Sequence, residues 1–130
     1  MGKDSPDVIK TVLIQAQSLF PEKKRIAILQ PHRFSRLKNL FQDYADTMSN
    51  LADEIILLPV FSAGEEELLN YNSYTLSQQI ILQGFDAKKI SVLSMSEAVE
   101  SIKRRTEDNL LAITLGPGDV WKVAENLGKT

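Results

Sequence analysis

Residues Gln30-Pro31-His32-Arg33-Phe34-Ser35-Arg36 bring the only histidine of the chain within four positions of two arginines. That combination suits anion recognition: a guanidinium forks onto a carboxylate or phosphate through two hydrogen bonds, and an imidazole can orient or neutralise the same group. Two further segments carry residues of a ligand rim. Phe61-Ser62-Ala63-Gly64-Glu65 is a small-residue turn that ends in a carboxylate able to accept from an ammonium group, from Arg33 or from Arg36. As the first member of Glu65-Glu66-Glu67 it also fits a plain solvated acidic run. Gly116-Pro117-Gly118-Asp119 has two glycines that let backbone approach a ligand and an aspartate competent to cap a helix. The third glycine of a dinucleotide fingerprint is missing there, with Trp121 near its place, and an ordinary turn before a capped helix fits equally well.

The elements around these segments decide where they stand. Ser5-Pro6 suits a helix start, and Val8, Ile9, Val12, Leu13, Ala16, Leu19 and Phe20 continue a helical stripe up to Pro21. Ile26–Leu29 is a short unbroken apolar run, as expected of a strand buried on both faces. Leu37, Leu40, Phe41, Tyr44, Ala45, Met48 and Leu51 step by three and four, which predicts one amphipathic helix over about 35–51 with Gln42, Asp43 and Asp46 outward. Ile55–Leu58 predicts a second strand, closed by Pro59. Residues 61–74 read as a long loop with at most one helical turn. Thr75 is expected to cap a helix that runs through Leu76, Ile80 and Ile81 and stops at Gly84. A third strand over Ile90–Leu93, a helix begun by Ser94 or Ser96, a fourth strand over Leu110–Leu115 and a last helix through Val120, Val123, Ala124 and Leu127 complete the plan.

Strands regularly separated by helices imply right-handed crossovers. The expected fold is a single α/β domain over 1–130, a Rossmann-like three-layer α/β/α sandwich with a mostly parallel sheet. Ligands of such sheets sit beyond the carboxyl ends of the strands, where all three segments fall. The strand-one segment has an additional oddity. Arginines at a helix N-terminus oppose the macrodipole and cost about 0.3–1 kcal/mol each unless an anion is present. A rule broken locally in this way marks a candidate site.

Composition narrows the rest. The chain has 130 residues, 43% of them hydrophobic, no cysteine, and 15 Lys+Arg against 17 Asp+Glu. Without cysteine there are no disulfides, thiolate nucleophiles or thiolate zinc sites, and one histidine cannot build a histidine metal cluster. No apolar run approaches the ~18 residues of a membrane span, and no secretory signal is visible, so a cytoplasmic location is expected. Residues 1–38 hold eight Lys/Arg and three acids. No aromatic-interleaved basic motif accompanies that surplus, so nucleic acid is not an expected partner. No G-x-x-x-x-G-K-S/T loop, nucleophile elbow or spaced carboxylate pair appears, and strand one lacks the acidic pair of a phosphoacceptor receiver.

The three segments in this order resemble the C-terminal domain of the Mur ligase family, in its alanine-adding branch, and Pro31-His32-Arg33-Phe34-Ser35-Arg36 is the most specific part. The likeness runs from about Asp7 to Leu127. It implies a three-domain cytoplasmic enzyme of peptidoglycan synthesis that joins L-alanine to UDP-N-acetylmuramate with ATP and Mg2+ through an acyl phosphate. It also implies that this chain is the last domain, a piece of a longer protein, closing over a central ATPase domain. On that resemblance His32, Arg33 and Arg36 hold the incoming amino acid's carboxylate or neighbouring phosphoryl oxygens, with Glu65, Gly116, Gly118 and Asp119 also lining the substrate. No residue of the chain is expected to be catalytic alone or to bind metal, and ATP and Mg2+ stay mainly with the missing central domain.

Three positions depart from the family's pattern. Lys3-Asp4-Ser5-Pro6 stands where an Asp-Tyr-Ala/Gly-His-His-Pro segment is usual, Trp121 replaces a glycine, and Glu66-Glu67-Leu68-Leu69 replaces a proline-rich continuation. A free-standing small-anion-binding or regulatory α/β module, and a ligase domain serving another amino acid or peptide, are the alternative readings.

Overall fold

The computed structural model describes residues 5–105 and 109–116. Helix α1 spans Pro6–Leu19, and the Ser5 hydroxyl accepts from the Val8 N–H to cap it. Its stripe buries Ile9, Leu13 and Ala16. Strand β1, Lys24–Leu29, is followed by α2 (Phe34–Asn39), α3 (Phe41–Leu51) and β2 (Glu54–Leu57). Then come α4 (Ser73–Leu82), a 3-10 turn over Ala87–Lys89, β3 (Ile90–Val92), α5 (Met95–Lys103) and β4 (Leu110–Leu115).

All strand pairs are parallel, and the sheet order is β3-β2-β1-β4. Successive side chains of a strand point to opposite faces. Ala27, Leu29, Ile55 and Leu57 accordingly join α1, α2, α3 and α4 in one core, while Ile26, Ile28, Ile56 and Leu58 face α5 in the other. This is the expected three-layer α/β/α sandwich. The chain moves outward from β1 to β2 to β3, then α5 carries it back across the opposite face to β4 beside β1. The order therefore reverses between β1 and β4, which opens a crevice at their carboxyl ends.

Two local expectations need correction. The single helix over 35–51 is two helices, broken at Leu40 (φ −116°, ψ 16°). Leu40 still donates to the Arg36 carbonyl and accepts from the Tyr44 N–H, so the chain turns while keeping these bonds. The two pieces answer to different anchors, since α3 packs between α1 and α4 whereas the start of α2 is tied to the segment after β2. Helix α4 is capped by Asn72, not by Thr75. The Asn72 side chain accepts from the Thr75 N–H and the Thr75 hydroxyl accepts from the Asn72 N–H, each at 2.9 Å, so Thr75 is the second half of a capping box. The loop before it contains no helical turn. Of Ser94 and Ser96, Ser94 is the cap of α5, again in a reciprocal box, with Glu97. The expected last helix lies outside the described residues.

Candidate functional site

The site starts where β1 stops. Gln30 N–H donates to the Leu115 carbonyl and Leu58 N–H to the Leu29 carbonyl, so the sheet hydrogen bonding continues slightly beyond the strand ends. Pro31 is buried. One residue on, His32 pairs with Phe61 in an isolated parallel bridge: Phe61 N–H donates to the Pro31 carbonyl and Arg33 N–H to the Phe61 carbonyl, both at 2.8 Å. The two rings lie against one another with centroids 5.6 Å apart. The half-buried imidazole is thereby fixed at the mouth of the β1 end.

This bridge delivers Arg33 to the cap position of α2 with φ 67° and ψ 134°. A positive φ at a residue with a side chain is uncommon and costs of order 1–3 kcal/mol unless the surroundings enforce it. Here Arg33 N–H is held by Phe61, and the next side chain, Phe34, is buried as the first residue of α2. The Arg33 side chain is exposed, and no described residue hydrogen-bonds its guanidinium. Arg36 stands one turn further along α2, half-buried.

Glu65 lies across from this helix start. Ala63 (φ 52°) and Gly64 (φ 91°) form a turn of two left-handed residues, closed by Glu65 N–H on the Ser62 carbonyl. The turn aims Glu65 back at α2. Its Oε1 accepts from the Ser35 N–H at 3.0 Å and its Oε2 from the Ser35 hydroxyl at 2.5 Å. The Ser35 hydroxyl, then the Ser35 and Phe34 N–H groups and the charge of Arg33, hold this carboxyl below its ordinary value against a smaller opposing effect of desolvation. An internal carboxylate thus supplies the negative charge that the helix N-terminus favours. Glu65 accepts no hydrogen bond from Arg33 among the described residues; its direct partner is Ser35.

Gly116 lies on the other side of the crevice. Its φ of 134° belongs to glycine, and a Cβ at this position would collide with the Gln30 carbonyl oxygen. Gln30 in turn donates from Nε2 to the Pro59 carbonyl at 3.3 Å, while its Oε1 is buried with no hydrogen-bond partner among the described residues. The structure therefore gathers His32, Arg33, Arg36 and Glu65 after β1 and sets Gly116 against Gln30 at the β1–β4 crevice. Gly118 and Asp119 lie outside the described residues.

Three contributors are not singled out by residue type: Ser35, which holds Glu65; Phe61, which holds both His32 and Arg33; and Gln30. Ser35 and Glu65 are 30 positions apart, and only the parallel register of β1 and β2 brings them together. Chemically, the arrangement presents a guanidinium with open donors and an imidazole beside it. A carboxylate or phosphoryl oxygen could be taken up there by side chains, because the first α2 donors are already engaged by Glu65.

No family model matches the chain. Individual proteins do. The chain is 32% identical over 121 residues to the UDP-N-acetylmuramate–L-alanine ligase of Desulfatibacillum aliphaticivorans, covering 93% of this chain and 26% of that protein. It is 35% identical over 120 residues to the enzyme of the same name from Clostridium novyi, with coverage of 92% and 25%. In fold it matches the crystal structure of the UDP-N-acetylmuramate–alanine ligase from Thermotoga maritima with a TM-score of 0.68, at 20% identity, over 97% of this chain and 24% of that one. The chain thus spans about a quarter of the length of the relatives it matches. Over that quarter, the chain resembles the C-terminal domain of the Mur ligases, and among them UDP-N-acetylmuramate–L-alanine ligase.

Proposed function

We propose that this chain is the amino-acid-binding domain of a ligase that joins L-alanine to UDP-N-acetylmuramate, and that it completes the active site by closing over the rest of the enzyme. The observation that carries the reading is the cluster of His32, Arg33 and Arg36 at the end of β1, with His32 and Arg33 fixed by the bridge to Phe61 beside the point where strand order reverses. The sequence likeness to alanine-adding ligases over nearly the whole chain supports it.

On this reading Arg33 binds the carboxylate of the incoming amino acid through its forked donors, with Arg36 behind it and His32 orienting the same group. Fixing the carboxylate leaves the amino group to point away, toward the carbonyl it will attack; such positioning lowers the barrier by removing orientational freedom before reaction. Gly116, packed against the Gln30 carbonyl, lets β4 and β1 come close at the crevice, and Gly118 and Asp119 are proposed to line the substrate as well. Among the described residues no three His, Asp or Glu side chains converge as metal ligands. In this proposal ATP and Mg2+ belong mainly to the central domain, together with acyl activation. The location is proposed as cytoplasmic; no helix among the described residues is long and apolar enough to cross a membrane.

The test is an exchange of domains. This chain, substituted for the matching segment of the Clostridium novyi ligase, is expected to sustain ATP-dependent phosphate release that rises with L-alanine and less with serine or glycine. Release that is indifferent to the amino acid would leave the free-standing anion module as the better account.

A further inference from the structure

We infer that Glu65 is a positioning residue that clasps Ser35 and so holds Arg33 in its ligand-facing backbone conformation, without itself touching the amino acid. The inference rests on the reading that Arg33 binds that carboxylate, and it deepens it.

Three observations support it. Both carboxylate oxygens of Glu65 are used, one by the N–H and one by the hydroxyl of the same residue, Ser35. A carboxylate chelating one serine in this way fixes two things at once, the backbone of the second α2 residue and its χ1. Second, Arg33 sits two residues upstream at φ 67°, a conformation that a side-chain-bearing residue leaves unless it is held on both sides. The Phe61 carbonyl holds its N–H from one side, and the Ser35–Glu65 clasp fixes the first turn of α2 on the other. Third, the clasp is built by a dedicated turn. Ala63 and Gly64 both adopt positive φ to bring the carboxylate round.

The bridge and the clasp come from the same segment after β2. Phe61 and Glu65 are four residues apart and grip positions 32–33 and 35 respectively. Together they make the strand-two segment a rigid support for the strand-one cations. They also account for an acidic residue lying beside an anion site: its charge is directed at the helix start, and its two oxygens face Ser35. Glu65 thus interacts with Arg33 through charge and not through a hydrogen bond, which leaves the Arg33 donors to an incoming carboxylate.

The test uses the 130-residue chain in solution, with L-alanine as the probe and nuclear magnetic resonance as the readout. Positive φ gives a strong contact between a residue's own amide and α protons, so the Arg33 conformation can be followed directly. In Glu65→Ala that signature of Arg33 is expected to collapse, Ser35 amide exchange to accelerate, and L-alanine affinity to fall about tenfold, the scale of one charge-assisted hydrogen bond. Glu65→Gln should keep most of the Arg33 signature, because its amide oxygen still accepts from Ser35. Ser35→Ala removes the hydroxyl bond and keeps the N–H bond to Glu65, so it should show part of the Glu65→Ala effect, and the double variant should be no worse than Glu65→Ala alone. An unchanged Arg33 signature in Glu65→Ala would overturn the inference, and if L-alanine affinity nevertheless fell in that variant, Glu65 would be a direct ligand instead. Arg33→Ala reports on the underlying reading separately: alanine binding that survives it, with the clasp intact, defeats the amino-acid site and leaves the clasp standing.

Discussion

Residue types announce the cations of this molecule, and residue contacts decide their use. A histidine and two arginines at a strand-to-helix turn are legible from spacing alone, but the expected conflict with the macrodipole holds only for Arg33 at the cap of α2, since Arg36 lies in the last turn of that short helix, where a cation is favoured. The partners of that cluster are not. Ser35 and Phe61 carry no chemical signal of their own in the sequence; they matter because parallel pairing of β1 with β2 sets residues 31–35 against 61–65. Glu65 is legible as a carboxylate near the site but not as a carboxylate already engaged. Gly116 is the position where a single atom decides most. Gly116→Ala must both abandon φ 134° and push a Cβ into the Gln30 carbonyl. We expect it to lower unfolding free energy by about 2 kcal/mol or more in urea titration; a stability unchanged from wild type would mean that β4 and β1 are not in close contact at their ends.

Helices and strands are legible where pattern and local chemistry agree. Strand β4 matches its expected bounds at both ends, and all four strands stand where short apolar runs fall between helical stripes, since a run of that kind is too short for a buried helix and too apolar for a loop. Periodicity does not reveal the break at Leu40, because Leu37, Tyr44 and Met48 keep helical spacing across it and all reach the same core. What bends the chain there is a long-range anchor at the start of α2, invisible to a local window. The cap of α4 lies three residues before its expected place for a related reason: Asn72 and Thr75 are two halves of one reciprocal motif, and either residue alone is a plausible start. Asn72→Ala should cost about 1 kcal/mol of stability by removing one half of that box. Thermal unfolding of the variant checks this, and an unshifted midpoint would show that α4 is held by packing and by the Ser73 hydroxyl on the Leu58 carbonyl.

At the scale of the whole molecule, the two ends of the sheet are used differently. The amino end is an electrostatic clamp. Glu54 receives both Arg105 guanidinium nitrogens at 2.9 and 3.0 Å and the Lys24 ammonium at 3.0 Å, so β2 is tied to β1 and to the crossover that follows α5. Hydrogen bonding to Arg105 holds the Glu54 carboxyl below its ordinary value, with burial opposing and Lys24 assisting. A depressed carboxyl contributes stability that is complete above its unfolded value and is lost as pH falls through the folded one. Stability should therefore decline on acidification from near pH 4.5 downward, and Glu54→Gln should flatten that decline while costing about 1–2 kcal/mol at neutral pH; parallel pH profiles for the two proteins would show that the clamp contributes nothing.

The carboxyl end, by contrast, carries His32, Arg33 and Arg36, and its use as an amino-acid site turns on what Arg33 does there. The most direct measurement is the steady-state kinetics of the hybrid ligase bearing this chain, with and without Arg33→Ala. Loss of charge-assisted hydrogen bonds to a carboxylate should lower kcat/KM for L-alanine by about 10- to 100-fold, with the KM for ATP little changed. A variant with the alanine kinetics of the unmodified hybrid would contradict the assignment of this strand end as the amino-acid site.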